Sequence, residues 1–201
     1  MRCKKKMTSE EVVAAAVEVL HREGFRELTA RKVARQLGVS TMPLFSCFQA
    51  MDSLVEAVEQ EVTRRMKEYQ RRPYTPNPML NIGVGYVLFA QEHPRLLEFM
   101  LFRQPASPRS PEEGLAEAVR DILADHDQHH PVVGMVMEGT ADGPDLDLLV
   151  KGRVFAHGLA MLALTGELGA MPQSEIIRLL QEAGEAFMGW KKSQEEKHTG
   201  R

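Results

Sequence analysis

The chain has 201 residues, 43% of them apolar and 26% charged, a composition that excludes wholesale disorder. No apolar run reaches the ~20 residues of a membrane-spanning helix, and MRCKKK leads into a charged segment without the apolar core of a signal peptide. Cys3 and Cys47 offer neither a disulfide framework nor metal-ligand spacing, so a cytoplasmic protein is expected. The first 72 residues hold 14 Lys/Arg against 10 Asp/Glu and the remainder 11 against 18, so that only the front suits a polyanion.

Periodicity is helical nearly throughout, with no alternating run that would mark a strand. Thr8 and Glu11 have the spacing of a capping box, and Val12, Val13, Ala16, Val17 and Leu20 recur on one face of the helix that follows. Gly24 is placed to end that helix in a left-handed cap. Thr29 is positioned to cap a second helix over 30–37, with Val33, Ala34 and Leu37 inward; Gly38 stops it. Ser40 then offers a cap for a third helix over 41–48 with Leu44 and Phe48 inward, and Pro43 is tolerated within its first turn. A fourth helix begins near Met51, its apolar residues Leu54, Val58, Val62 and Met66 four apart. Two short helices joined by a Gly-based turn, with the small Ala34 allowing a close crossing, form a helix-turn-helix.

The stretch RRPYTPNP at 71–78 is a joint, with three prolines in eight residues. Beyond it the pattern predicts helices over 79–93 and 95–103, broken at His93-Pro94, then 112–126, 146–168 and 174–191. The count is about nine helices in an all-α fold. Leu148, Leu149, Phe155, Leu159, Leu162, Leu164, Ile176, Ile177, Leu179, Leu180 and Phe187 give the last two helices more apolar surface than one bundle buries. Their pairing with a second copy is therefore expected.

The run ELTARKVARQLGVSTMPLFSCFQAMDSLVEAV (27–58) resembles the DNA-binding domain of TetR-type transcriptional regulators. The resemblance rests on Thr29, Val33-Ala34, Leu37-Gly38-Val39-Ser40, Leu44, an aromatic at 45, Phe48 and Leu54. GYVLFAQEHPRLLEFMLF (85–102) is similar to a helix-His-Pro-helix segment of such regulators, and FAHGLAMLALTGEL (155–168) to a late helix at their dimer interface. It implies a helix-turn-helix domain with a basic arm over 1–50, a connecting helix over 51–70, and a ligand-binding and dimerisation bundle over 71–201. The implied partners are double-stranded DNA with a palindromic operator, a second copy of the chain, and a largely apolar small-molecule effector. Repression released by that effector is the implied outcome; no cofactor and no membrane are implied.

In that arrangement Ser40, Thr41, Met42, Ser46 and Cys47 face base edges, while Thr29, Arg31, Lys32 and the Lys4-Lys5-Lys6 arm lie near phosphates. No Arg, Asn or Gln stands on 40–48 for a bidentate base contact, so readout rests on shape, water and apolar contact. The family usually has Tyr where this chain has Phe45, a polar residue at Cys47 and Lys at Met51. Losing that hydroxyl and ammonium motivates an alternative, a relative that keeps the fold and pocket but lacks useful DNA binding. Effector candidates are Tyr86, Phe89, Met100, Phe155 and Met161, with His93 and His157 as polar anchors.

An enzyme is not expected: the sequence offers no nucleophile–base arrangement, glycine-rich phosphate loop or paired carboxylates. His126, His129 and His130, near Asp125 and Asp127, include one pair at helical-turn spacing. Pro131 and weak periodicity point instead to solvated side chains at a helix end or loop, so no metal site is assigned.

Overall fold

The computed structural model describes residues 7–102, 119 and 145–199. Among these residues there are eight α-helices, one 3-10 turn and no strand, an all-helical fold as the periodicity requires. No helix among them is long and apolar enough to cross a membrane. The predicted helix over 112–126 and the histidine cluster at 126–130 lie outside the described residues, except that Val119 is helical and buried.

The first compact unit contains α1 (Ser9–Glu23), the 3-10 turn Phe25–Glu27, α2 (Ala30–Leu37), α3 (Met42–Cys47), the start of α4 (Met51–Arg71) and α6 (Pro94–Phe102). The capping box forms: the Glu11 N–H donates to Thr8 Oγ1 at 3.2 Å and the Thr8 N–H to the Glu11 carboxylate at 3.0 Å. Val12, Ala16, Val17 and Leu20 are fully buried, joined by Val19 and Ala15; Val13 is only half-buried. Gly24 departs from the expected left-handed cap. Its φ of 87° is positive, but ψ of 171° is extended and sends the chain into the 3-10 turn. The Phe25 ring then lies 5.1 Å from that of Phe99 on α6.

Thr29 caps α2 through the Lys32 N–H. At the far end Gly38 is left-handed, and its N–H and that of Val39 bond the Arg35 and Ala34 carbonyls, closing a Schellman motif. The third helix is shorter than the predicted 41–48 and Ser40 does not cap it. A cap at Ser40 would use the N–H of residue 42 or 43, and Pro43 has none. The first carbonyl to accept is instead that of Thr41, from the Leu44 N–H at 3.1 Å, and Phe48 is already extended. Leu44 anchors α3 in the core and Phe48 is half-buried, while Leu54, Val58 and Val62 bury one face of α4. Packing places α6 in this unit, through Leu96, Leu97 and Phe99, although it follows the joint in sequence.

The second unit comprises the end of α4, α5 (Pro78–Glu92), α7 (Leu146–Leu164) and α8 (Gln173–Thr199). Asn77 Oδ1 caps α5 by accepting from the Met79 and Leu80 N–H groups, and the buried Asn81 amide clasps the Thr75 backbone. Val84 to Ala90 are buried without interruption, because α5 is enclosed by α7, α8 and the end of α4. Gly85 permits the closest approach: a Cβ there would lie 2.3 Å from the Tyr69 carbonyl oxygen.

Helices α7 and α8 form an antiparallel hairpin. Its open end is fastened by Asp145, which caps α7 through the Leu148 N–H and pairs with Lys191. At the other end the Gln91 side chain donates to the Met171 carbonyl (3.2 Å) and accepts from its N–H (2.7 Å).

Candidate functional site

Two surfaces carry the sequence-predicted residues, one in each unit. On the first, the helix-turn-helix exposes Ser40, Thr41, Met42, Phe45 and Ser46. Met42 is 74% and Phe45 48% exposed, unusual for apolar side chains on a short helix whose Leu44 is buried. Ser46 Oγ donates to the Met42 carbonyl at 3.3 Å, so its proton is engaged while its lone pairs stay open. Cys47 stands apart from this set. It is half-buried, and its thiol approaches the Met7 carbonyl at 3.7 Å, tying α3 to the segment before α1.

The basic residues divide sharply. Arg31 is exposed with no ion pair among the described residues. Lys32 is held by both Glu23 and Glu27, one at the end of α1 and one in the 3-10 turn. Those hydrogen bonds, Glu23 first, raise the Lys32 ammonium above its ordinary value, and Lys32 in turn lowers Glu23. Thr29 is similarly occupied, its hydroxyl accepting from the Lys32 N–H. The acidic partners were legible as charges in the sequence; their convergence on Lys32 depends on the 3-10 turn after Gly24.

In the second unit Tyr86 and His157 meet, the phenol oxygen 3.0 Å from His157 Nδ1. Sequence reasoning missed the third member, Arg153, one helical turn before His157. Its guanidinium lies over the Tyr86 ring at 4.3 Å, with Nη2 3.5 Å from the phenol oxygen. Burial raises Tyr86 above its usual value. Burial and then the charge of Arg153 hold His157 below its own.

The other candidates do not join this cluster as one set. Phe89 is fully buried with its ring edge-on to Tyr69, so it serves the core. Phe155 packs edge-on against Phe187 across the α7–α8 hairpin, and Met161 is half-buried on α7. His93 and Met100 belong to the first unit, where the His93 ring meets that of His21 at 5.2 Å. No group of three or more metal-ligating side chains occurs among the described residues.

Residues 12–58 match the family model of bacterial regulatory proteins of the tetR family, and residues 79–187 that of the tetracyclin repressor-like C-terminal domain. No curated protein matches the sequence. Among solved structures, a TetR-like transcriptional regulator from Rhodococcus sp. RHA1 is similar at 15% identity and a TM-score of 0.58, over 94% of this chain and 99% of that one. A tetR-family transcriptional regulator from Streptomyces coelicolor is similar at 17% identity and a TM-score of 0.64, over 100% and 87%. A Rhodococcus sp. RHA1 protein of unknown function is similar at 21% identity and a TM-score of 0.65, over 93% and 96%. At these identities the likeness is one of fold.

Proposed function

Because the chain belongs to the tetR family of bacterial regulatory proteins, we propose that it is a homodimeric repressor that binds a palindromic operator and is released by a small molecule. The observation that carries this reading is the exposed face of residues 40–46 on a helix fixed from behind by Leu44. A rigid rod of that kind fits the major groove with its N-terminal residues toward base edges. Met42 and Phe45 supply apolar contact of the sort a thymine methyl accepts, and Ser40, Thr41 and Ser46 supply hydroxyls. Arg31 supplies a phosphate contact; Lys32, neutralised by two carboxylates, is better regarded as a brace for the start of α2.

Dimerisation draws support from a stripe on α7. Leu146, Val150, Val154 and Leu162 are exposed at four-residue steps, and at the remaining step Gly158 has open space where a Cβ would stand. Such a continuous apolar row is suited to a two-fold helical interface. Of the residues expected to pair, Leu162 lies in this row, whereas Leu149, Leu159, Ile176 and Leu180 are buried within the chain.

Switching then requires an effector that favours one spacing of the two reading heads over another. The protein acts by binding and not by catalysis. Selection of duplexes from a random pool, followed by titration of the enriched sequence with and without candidate effectors, tests the reading. A palindromic consensus bound by two chains supports it; failure to enrich any sequence rejects it. The second reading, a relative without useful DNA binding, is favoured by Phe45 and Met51, where a hydroxyl and an ammonium are lacking. It predicts the latter outcome together with retained small-molecule binding.

A further inference from the structure

Tyr86, Arg153 and His157 form a hydrogen-bonded cluster with the phenol oxygen at its centre. A guanidinium has no acceptor, so at 3.5 Å Arg153 Nη2 can only donate to the Tyr86 oxygen. The same phenol oxygen lies 3.0 Å from His157 Nδ1, a pair in which the ring tautomer decides which group donates. The remaining Arg153 N–H groups, on an exposed side chain, are the donors left for a ligand.

The charge on Arg153 is also uncompensated. Lys151 pairs with Asp147 and Lys191 with Asp145, whereas Arg153 has no carboxylate partner among the described residues. It is nevertheless held at two points, by the face and the oxygen of a Tyr86 side chain that is only 1% exposed, while remaining itself exposed to an incoming molecule. Holding a planar fork in one orientation reduces the ordering cost of binding a planar partner.

We propose that Arg153, Tyr86 and His157 form a head-group subsite for the effector, and that the effector carries a carboxylate. The assignment rests on the effector-responsive reading given above. A carboxylate matches the guanidinium fork in shape and balances one positive charge. A phosphate dianion would be left under-neutralised, because Arg153 is the one cation of this cluster.

Calorimetry with octanoate and benzoate, each compared with its neutral amide, tests the subsite on the full-length protein. The acids are expected to bind at least tenfold more tightly than the amides. Arg153→Gln is expected to remove at least tenfold of acid affinity without changing amide affinity, and Tyr86→Phe to remove a smaller part. Because Arg153 is exposed, Arg153→Gln should fold normally, as thermal melting and sedimentation would verify. Absence of acid binding, equal binding of acid and amide, or unchanged acid binding in Arg153→Gln overturns the proposal. Adding selected operator DNA separates this outcome from the regulatory reading. An acid that binds through Arg153 but leaves operator affinity unchanged keeps the subsite and removes the switch. Operator release by the amides alone keeps the switch and overturns the subsite.

Discussion

Arg31 and Lys32 are adjacent cations, yet only Arg31 has no carboxylate partner among the described residues. Lys32 is neutralised by Glu23 and Glu27, whereas Arg31 is exposed and unpaired among the described residues. Each phosphate contact adds about one unit to the slope of log affinity against log salt. Arg31→Gln should therefore flatten the slope by about one unit, and Lys32→Gln should leave it nearly unchanged. Equal effects in a salt titration would contradict the pairing. His157 gives a second residue-level expectation. Its folded-state value lies below the ordinary 6.5, so below that pH the unfolded chain takes up a proton that the folded chain resists. Stability should fall as pH drops through 6.5 and level off below the folded value, and His157→Gln should flatten this decline in thermal melts between about pH 7 and 5. Neither situation was open to sequence reasoning. Arg153 and Tyr86 are 67 residues apart, and only the packing of α5 against α7 brings them together.

Among the elements, those with strong local signals were readable and those set by packing were not. The Thr8–Glu11 box and the Thr29 and Gly38 caps appear where the residues indicated, because each is a contact within a few positions. Thr8→Ala should lower stability by about 0.5–2 kcal/mol, measured by denaturant melts. The structure starts α3 one residue later than the spacing predicts, where Pro43 removes one of the two N–H groups that a Ser40 cap would use. The assignment of α6 to the first unit depends on Leu96, Leu97 and Phe99 finding a core that sequence order does not indicate. Two glycines of α5 offer a direct comparison. At Gly85 a Cβ meets the Tyr69 carbonyl oxygen at 2.3 Å, while at Gly83 it meets only the flexible end of Leu180 at 3.3 Å. Gly85→Ala should therefore cost about 3 kcal/mol or more, the upper end of overpacking, and Gly83→Ala far less. Similar melting temperatures for the two variants would contradict the close approach.

For the whole molecule, the excess of apolar residues on the last helices is legible in the sequence, but of the row that stays exposed only Leu162 is. Packing consumes Leu149, Leu159, Ile176 and Leu180 and leaves Leu146, Val150, Val154 and Leu162 in an exposed row. Val154, at 65% exposure, is the most open of these, so Val154→Asp should weaken the proposed dimer at least tenfold in sedimentation while leaving helical content intact. A dimer unaffected by that change would place the interface elsewhere. Pairing matters because a single six-residue recognition helix reads few bases, whereas two copies a helical turn of DNA apart read a palindrome. The most direct measurement is titration of the selected operator with wild-type protein and Met42→Asp by fluorescence anisotropy. Two chains per duplex, affinity falling linearly in log salt, and loss of sequence-specific binding in Met42→Asp are expected. Sequence-specific binding that Met42→Asp leaves intact, or no sequence preference in the wild type at any salt, would contradict the proposed function.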